Sequence, residues 1–189
     1  GSEMCIRDRM EIAQALLRGL GYTGTHFRLI EADSTAVLDA ALAELRTTTQ
    51  RLPATPARFA VGADKRGRLE MALDHLTGAA PAVQAEAPLV VELPAGSPFG
   101  AIAVDKDKCT LCLACVGACP SGALLDSQTA PQLRFIEKNC VQCGLCETTC
   151  PEDAVSLVPR LLVAPERKQP VVLNLSLIHI SEPTRRYAI

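Results

Sequence analysis

Two runs of closely spaced cysteines carry the side chains of this sequence that are best suited to chemistry. The first run, CTLCLACVGACP, and the second, CVQCGLCETTCP, share the spacing C-x2-C-x2-C-x3-C-P. Their cysteines are Cys109, Cys112, Cys115, Cys119, Cys140, Cys143, Cys146 and Cys150. Thiolates bind soft metals, and in an oxidising compartment they pair as disulfides. The spacing therefore indicates either metal centres or a disulfide framework.

Metal ligation is the preferred interpretation of both runs. A disulfide framework requires an oxidising compartment, and nothing near the start has the residue order of a secretion signal. Zinc sites made of four cysteines usually use two C-x2-C pairs separated by a longer stretch, without a third close cysteine. Three cysteines at two-residue gaps instead suit a compact loop that wraps around three corners of an iron–sulfur cube. We therefore favour 4Fe-4S clusters, with zinc as the alternative.

Residues 99–163 resemble the bacterial ferredoxins that hold two 4Fe-4S clusters. The resemblance rests on the two cysteine runs and on an internal repeat, in which VDKDKCTLCLACVGACPSGALL aligns with FIEKNCVQCGLCETTCPEDAVSL. Strand, cysteine run, proline, turn and strand follow in the same order in both copies. The resemblance implies an α+β fold, the ferredoxin-like βαββαβ arrangement, and electron transfer through two 4Fe-4S clusters.

In that family the fourth cysteine of each run binds the cluster of the other run. The resemblance therefore implies one cluster held by Cys109, Cys112, Cys115 and Cys150 and a second held by Cys140, Cys143, Cys146 and Cys119. The proline after each fourth cysteine fits this arrangement, because its fixed φ turns the chain away from the loop. One position departs from the family: Leu113 stands where glycine is common, as at Gly144. No ligand is lost by this change.

Composition and charge exclude several other functions. The 189 residues carry a formal net charge of -2, without the basic excess of a nucleic-acid-binding protein. No apolar run approaches the roughly 18 residues of a membrane span. The sequence has no P-loop or H-E-x-x-H motif. We therefore predict a cytoplasmic electron-transfer module, with redox proteins as partners and neither nucleic acid nor membrane span, rather than a catalyst in its own right.

A weaker resemblance concerns the partners. The stretch from PFGAIAVDKDKC to CPEDAV is similar to large multi-cluster ferredoxin-like proteins of proteobacteria that are associated with formate dehydrogenase. The residues before it are faintly similar to hydrogenase-associated iron–sulfur subunits. These similarities imply formate dehydrogenase or a hydrogenase-type complex as a partner. The alternatives are an iron–sulfur subunit of an oxidoreductase whose α/β part binds flavin or substrate, and a redox sensor.

The elements that must position the cysteines follow from apolar periodicity and turn residues. Residues 10–80 are predicted to be a partial α/β segment, with a helix in EIAQALLRGLGY, a strand in HFRLIEA, and a helix that follows Asp33 and Ser34. A loop around a short apolar strand is predicted in 47–67, before a helix that contains Leu69, Leu73 and Leu76. Residues 81–98 are predicted to be a linker and the strand LVVELP, and residues 164–174 begin a downstream region.

The two ends are predicted to be foreign to the protein. GSEMCIRDR at residues 1–9 and LSLIHISEP at residues 175–183 can be encoded by reverse-complementary DNA, and they resemble a translated sequencing adapter. We therefore interpret 1–9 and 175–189 as adapter-like sequence, and we interpret the residues between them as a fragment of a longer iron–sulfur protein. Cys5 lies in the first of these ends, which leaves eight of the nine cysteines for the two runs.

Overall fold

The computed structural model describes residues 2–48, 55–60, 62, 64–84 and 88–176. The chain divides into two compact units, the first ending at Pro94 and the second beginning at Ala95. Both helices and strands are present, in agreement with the predicted α+β class. Within the described residues, no helix has the length and apolar character needed to cross a membrane.

The first unit consists mainly of helices. They are α1 (Ser2–Gly19), α2 (Thr35–Thr48), α3 (Lys65–Gly78) and a 3-10 turn (Pro81–Gln84), followed by the strand β1 (Leu89–Glu92). The carboxylate of Asp64 caps α3, because it accepts hydrogen bonds from the backbone N–H groups of Arg66 and Gly67. The helix predicted after Asp33 and Ser34 is confirmed as α2, and the helix predicted to contain Leu69, Leu73 and Leu76 is confirmed as α3.

Burial in the first unit is concentrated near the end of α1. Leu16, Leu17 and Leu20 are buried there, and Tyr22 follows with 6% of its surface exposed. The Tyr22 hydroxyl donates to the carbonyl of Leu76 at 2.8 Å, which ties this segment to α3. Burial also raises the pKa of Tyr22. Leu73 is likewise buried, whereas α2 has no buried residue among those described.

The prediction of a strand in HFRLIEA is wrong, because residues 25–32 form no strand. A strand needs a neighbouring strand to satisfy its backbone, and here the α1 side chain of Gln14 takes part of that role. Its amide donates to the carbonyl of Gly24 at 3.0 Å, and its oxygen accepts from the N–H of His26 at 2.8 Å. Phe27 and Leu29 remain over two-fifths exposed.

Two further predictions concern loops. The short apolar strand predicted within 47–67 does not form in residues 55–60, and the remainder of that prediction lies partly outside the described residues. The linker predicted before LVVELP contains the 3-10 turn Pro81–Gln84, and residues 85–87 lie outside the described part of the chain. The strand predicted in LVVELP is confirmed as β1.

The second unit begins with a repeated arrangement of short elements. Their order is β2 (Gly100–Val104), α4 (Ala114–Ala118), β3 (Leu124–Leu125), β4 (Gln132–Phe135), a 3-10 turn (Glu137–Asn139), α5 (Leu145–Thr148) and β5 (Val155–Val163). A 3-10 turn (Pro165–Lys168) and β6 (Val171–Leu175) follow. Each cysteine run therefore contains one short helix and is flanked by strands.

Antiparallel pairing connects the two copies of the repeat. Strand β2 pairs with β5, with Gly100 opposite Pro159 and Val104 opposite Val155. The first strand of one copy thus lies beside the last strand of the other. Strands β3, β4 and β6 form an antiparallel sheet with an irregularity in register after Leu133. This pairing brings the two cysteine runs, which are distant in sequence, around one core.

The core of the second unit is built from strand residues and cysteines together. Its buried members are Ala101, Ile102, Cys115, Ala123, Leu124, Leu133, Phe135, Cys140, Cys146 and Val155. Apolar burial and the placement of the thiols are therefore parts of one packing arrangement, and the strands that fill the core also fix the cysteines.

Candidate metal centres

The first cavity lies beside the loop of the first run. Its lining includes Cys109, Cys112 and Cys115 from that run and Cys150 from the second run. Cys115 is buried and Cys112 is exposed, so the thiols span the distance from the core to the surface. Four thiols from two distant parts of the chain thus face one space.

The second cavity repeats this arrangement with the runs exchanged. Its lining includes Cys140, Cys143 and Cys146 from the second run and Cys119 from the first. Cys140 and Cys146 are buried, and Cys143 is exposed like its counterpart in the first run. Each cavity is therefore lined by three cysteines of one run and the fourth cysteine of the other.

Left-handed backbone conformations shape both loops. In the first run Leu111 has φ 57° and Leu113 has φ 59°, and at the equivalent positions Gln142 has φ 54° and Gly144 has φ 78°. Only glycine adopts this region without strain, and other residues pay about 1–2 kcal/mol each. The departure at Leu113 therefore keeps the backbone shape that Gly144 has in the second run, at a conformational cost.

The fourth cysteine of each run is oriented by a backbone donor four residues later. The N–H of Ala123 donates to Cys119 Sγ at 3.3 Å, and the N–H of Ala154 donates to Cys150 Sγ at 3.3 Å. Such donors stabilise negative charge on the sulfur, which a thiolate ligand carries. The two sulfurs thus accept equivalent backbone hydrogen bonds, and each lines the cavity of the other run.

Two polar side chains contact cysteine sulfurs at the second cavity. The amide nitrogen Nε2 of Gln142 lies 3.4 Å from Cys140 Sγ, and the hydroxyl of Ser121 lies 3.6 Å from Cys119 Sγ. The sequence analysis missed both residues. Alignment of the two repeats could have identified both as positions where the runs differ, because Gln142 stands opposite Leu111 and Ser121 stands opposite Glu152.

Burial raises the pKa of the inner thiols, which are the buried cysteines Cys115 and Cys146. Burial, followed by the charge of Cys140, raises the pKa of Cys146 to about 11. Burial also raises the pKa of Cys115, with further contributions from Cys109 and, across the runs, from Cys150. A metal that binds these thiols must displace their protons, so its binding is coupled to pH.

Cys119 behaves differently from the inner thiols. Burial by itself acts to raise its pKa, but the backbone N–H groups of Leu124, Ala123 and Ser121, together with the Ser121 hydroxyl, outweigh burial and lower the pKa. The sulfur that crosses into the second cavity is therefore stabilised as a thiolate by hydrogen bonds.

Outside the cavities, two interactions brace the runs. The guanidinium of Arg160 donates to the carboxylate of Glu137 through Nε at 3.2 Å and Nη2 at 2.7 Å, just before the second run. The side-chain amide of Asn174 donates to the carbonyl of Cys109 at 3.3 Å, so that β6 holds the start of the first run. Glu137 and Asn174 are both buried.

The thiols of each set surround a space and do not converge on a point. Among residues 2–48, 55–60, 62, 64–84 and 88–176, no group of three or more His, Cys, Asp or Glu side chains could hold a single metal ion. A 4Fe-4S cluster takes one thiolate at each of its four irons. The residues present fit such a group, because each cavity offers four thiols and an otherwise mainly apolar lining.

In comparison with known proteins, residues 108–155 match the family model of the 4Fe-4S dicluster domain. Archaeal-type glutamate synthases (NADPH) of Thermotoga sp. (strain RQ2) and Thermotoga maritima are each 38% identical to this chain over 53 residues. That stretch is 28% of this chain, and the chain spans only 10% of the length of these relatives. Residues 108–155, which include both cysteine runs, thus have the sequence of a 4Fe-4S dicluster domain.

Proposed function

We propose that the chain transfers electrons through two 4Fe-4S clusters and is a relay module of a larger redox protein. The observation that carries the proposal is the pair of cavities, each lined by four cysteines, within the segment that matches the dicluster domain. When bound, each cluster takes up and gives back one electron.

The proposed ligand sets cross between the runs. One set is Cys109, Cys112, Cys115 and Cys150, and the other is Cys119, Cys140, Cys143 and Cys146. Support comes from the membership of the two cavity linings and from the contribution of Cys150 to the raised pKa of Cys115. A ferredoxin-like fold is part of the same proposal, supported by the element order from β2 to β5 and by the pairing of these two strands.

The protein's own residues do three things for this activity. The cysteines hold the clusters, and apolar side chains such as Leu133 and Phe135 keep water from the inner side of the cavities. The N–H groups of Ala123 and Ala154 stabilise negative charge on the crossing sulfurs. An electron enters from a reduced redox protein and leaves to an oxidised one, so the domain returns to its starting state.

The partners are also part of the proposal. The similarity of the cysteine-containing stretch to proteins associated with formate dehydrogenase supports that enzyme, or a hydrogenase-type complex, as the electron donor or acceptor. The density of thiols supports a reducing compartment, and we place the protein in the cytoplasm.

A second candidate is an iron–sulfur subunit of an oxidoreductase whose first unit binds flavin or substrate. The observation that favours it is that the two matched relatives are named as glutamate synthases that use NADPH. Bound flavin in the purified protein, or reductase activity of the full-length protein with a dinucleotide, would support this candidate over the simple relay.

The test is anaerobic purification of the 189-residue chain with iron and sulfide analysis, followed by EPR of the reduced protein. We expect about eight irons and two interacting S = 1/2 centres. Cys146→Ser should lose about half of the iron, whereas Cys5→Ser is the matched control, since Cys5 is exposed and lines neither cavity. Two zinc ions and no EPR signal would overturn the proposal.

A further inference from the structure

The two cavities differ in the polar groups that face their sulfurs, although the runs around them are repeats. Gln142 lines the second cavity where Leu111, its counterpart, lines the first. Ser121 lines the second cavity where Glu152, its counterpart, lines the first. The second difference follows the crossing, because Ser121 and Glu152 come two residues after the fourth cysteine of their runs and line the cavity of the other run.

The orientation of the Gln142 amide is fixed by strand β2. Its nitrogen donates to the carbonyl of Ala101 at 2.8 Å, and a carbonyl can only accept, so the oxygen cannot occupy this place. The same nitrogen lies 3.4 Å from Cys140 Sγ, and its second N–H serves this sulfur. Gly100 leaves the room for this side chain, since a Cβ at that position would collide with the Gln142 amide.

Ser121 supplies a second donor to the same site. Its hydroxyl lies 3.6 Å from Cys119 Sγ, and a sulfur that is bound as a thiolate has no proton to give. The hydroxyl must therefore donate to the sulfur when Cys119 serves as a ligand. The second site thus receives two side-chain hydrogen bonds, on Cys140 and on Cys119.

The first site has neither donor. Leu111 carries no polar atom, and the carboxylate of Glu152 can only accept hydrogen bonds and adds a negative charge beside the cavity. Glu152 is exposed, so solvent and salt screen its charge and the effect of the missing donors is the larger one. Both features act against adding an electron at this site.

We propose that Gln142 and Ser121 raise the reduction potential of the site formed by Cys119, Cys140, Cys143 and Cys146 above that of the other site. The inference rests on the proposed function, because it concerns the two clusters that the chain is proposed to hold. Reduction adds negative charge to thiolate-ligated iron, and hydrogen bonds to the sulfurs stabilise that charge. In a domain that holds one electron, that electron would therefore reside mainly on the second site.

The experiment is a redox titration of the anaerobically purified 189-residue chain, with dithionite as the reductant and EPR as the readout. Gln142→Leu, which places the first run's residue in the second, should lower only the higher of the two midpoint potentials. We expect about a tenfold change in the ratio of reduced to oxidised site, which corresponds to about 59 mV for one electron. Ser121→Ala should shift the same couple downward.

Two further variants separate tuning from damage. Leu111→Gln, the reverse exchange, should raise only the lower potential, and it leaves the second site intact. Gln169→Leu is the matched control, because Gln169 is exposed, lines neither cavity and should leave both potentials unchanged. If Gln142→Leu lost iron, Ser121→Ala and Leu111→Gln would decide the question.

The outcomes distinguish this inference from the proposed function. A parent protein with fewer than about eight irons would overturn the two-cluster function itself. A parent with full iron in which Gln142→Leu and Ser121→Ala leave the higher potential in place would overturn only the tuning role. A downward shift of the lower couple by Gln142→Leu would also overturn it, since the donor would then belong to the wrong site.

Discussion

The backbone N–H of Ala154 donates to Cys150 Sγ at 3.3 Å, and this contact holds the sulfur in the lining of the cavity that belongs to the other run. The N–H of Ala123 holds Cys119 in the same way. Each run therefore contributes one sulfur to the lining of the other cavity. Under the proposed crossed ligand sets, the two sites cannot be separated without removing a ligand from each.

The crossing leads to the first prediction. Cys150→Ala should reduce the occupancy of the site with Cys109, Cys112 and Cys115 more than that of the site beside its own loop, because Cys150 lines only the first cavity. Iron analysis with EPR of the reduced protein measures the remaining cluster. Cys119→Ala is the reciprocal variant, and it should leave the opposite EPR signal. Loss of the same signal in both variants would contradict the crossed ligand sets.

The three cysteines that each loop contributes to its own cavity could be predicted from the sequence, because their spacing within one loop is a local property. The role of Gln142 could not be predicted, since its amide is oriented by Ala101, which lies 41 residues earlier. The strand expected at residues 26–32 failed for a related reason. Apolar residues such as Phe27 and Leu29 suit a strand, but a strand forms only where a partner strand is available.

The left-handed turn at Gly144 gives the second prediction. Gly144→Ala should lower stability by about 1 kcal/mol, because φ is 78° and an alanine there is strained. A Cβ at this position would lie 3.8 Å from Leu157 Cδ1, an ordinary contact, so the cost is conformational rather than steric. The measurement is the thermal midpoint of the anaerobic protein at one scan rate.

Gly117→Ala is the control for that variant. Gly117 lies within α4, and a Cβ there would meet nothing within 4 Å, so alanine should stabilise the helix by up to about 1 kcal/mol. Equal destabilisation by both substitutions would show that the backbone conformation at Gly144 is not the cause.

The ion pair before the second run gives the third prediction. Glu137 is buried, and Arg160 satisfies both of its carboxylate oxygens. Arg160→Ala should cost about 2 kcal/mol, less than for a fully buried pair because about a third of the Arg160 side chain is exposed. Thermal unfolding measures the loss, and it should be accompanied by faster loss of iron.

A double variant tests whether the carboxylate of Glu137, left without Arg160, causes the loss of stability in Arg160→Ala. Glu137→Gln with Arg160→Ala removes the buried charge together with its partner, so it should recover part of the lost stability. If the double variant were less stable than Arg160→Ala alone, the packing of the arginine side chain, and not its charge, would account for the effect.

The fourth prediction concerns the first unit. Burial raises the pKa of Tyr22, whose neutral hydroxyl donates to Leu76, so the folded state favours the protonated form. The contribution of this group to stability is full below the unfolded pKa of about 10 and is lost as the pH rises through the folded pKa. Tyr22→Phe should cost about 1 kcal/mol at neutral pH, the value of one hydrogen bond. It should also weaken the alkaline loss of stability, which denaturant titrations of both proteins at neutral and alkaline pH would measure. An unchanged alkaline dependence in Tyr22→Phe would assign that loss to other groups.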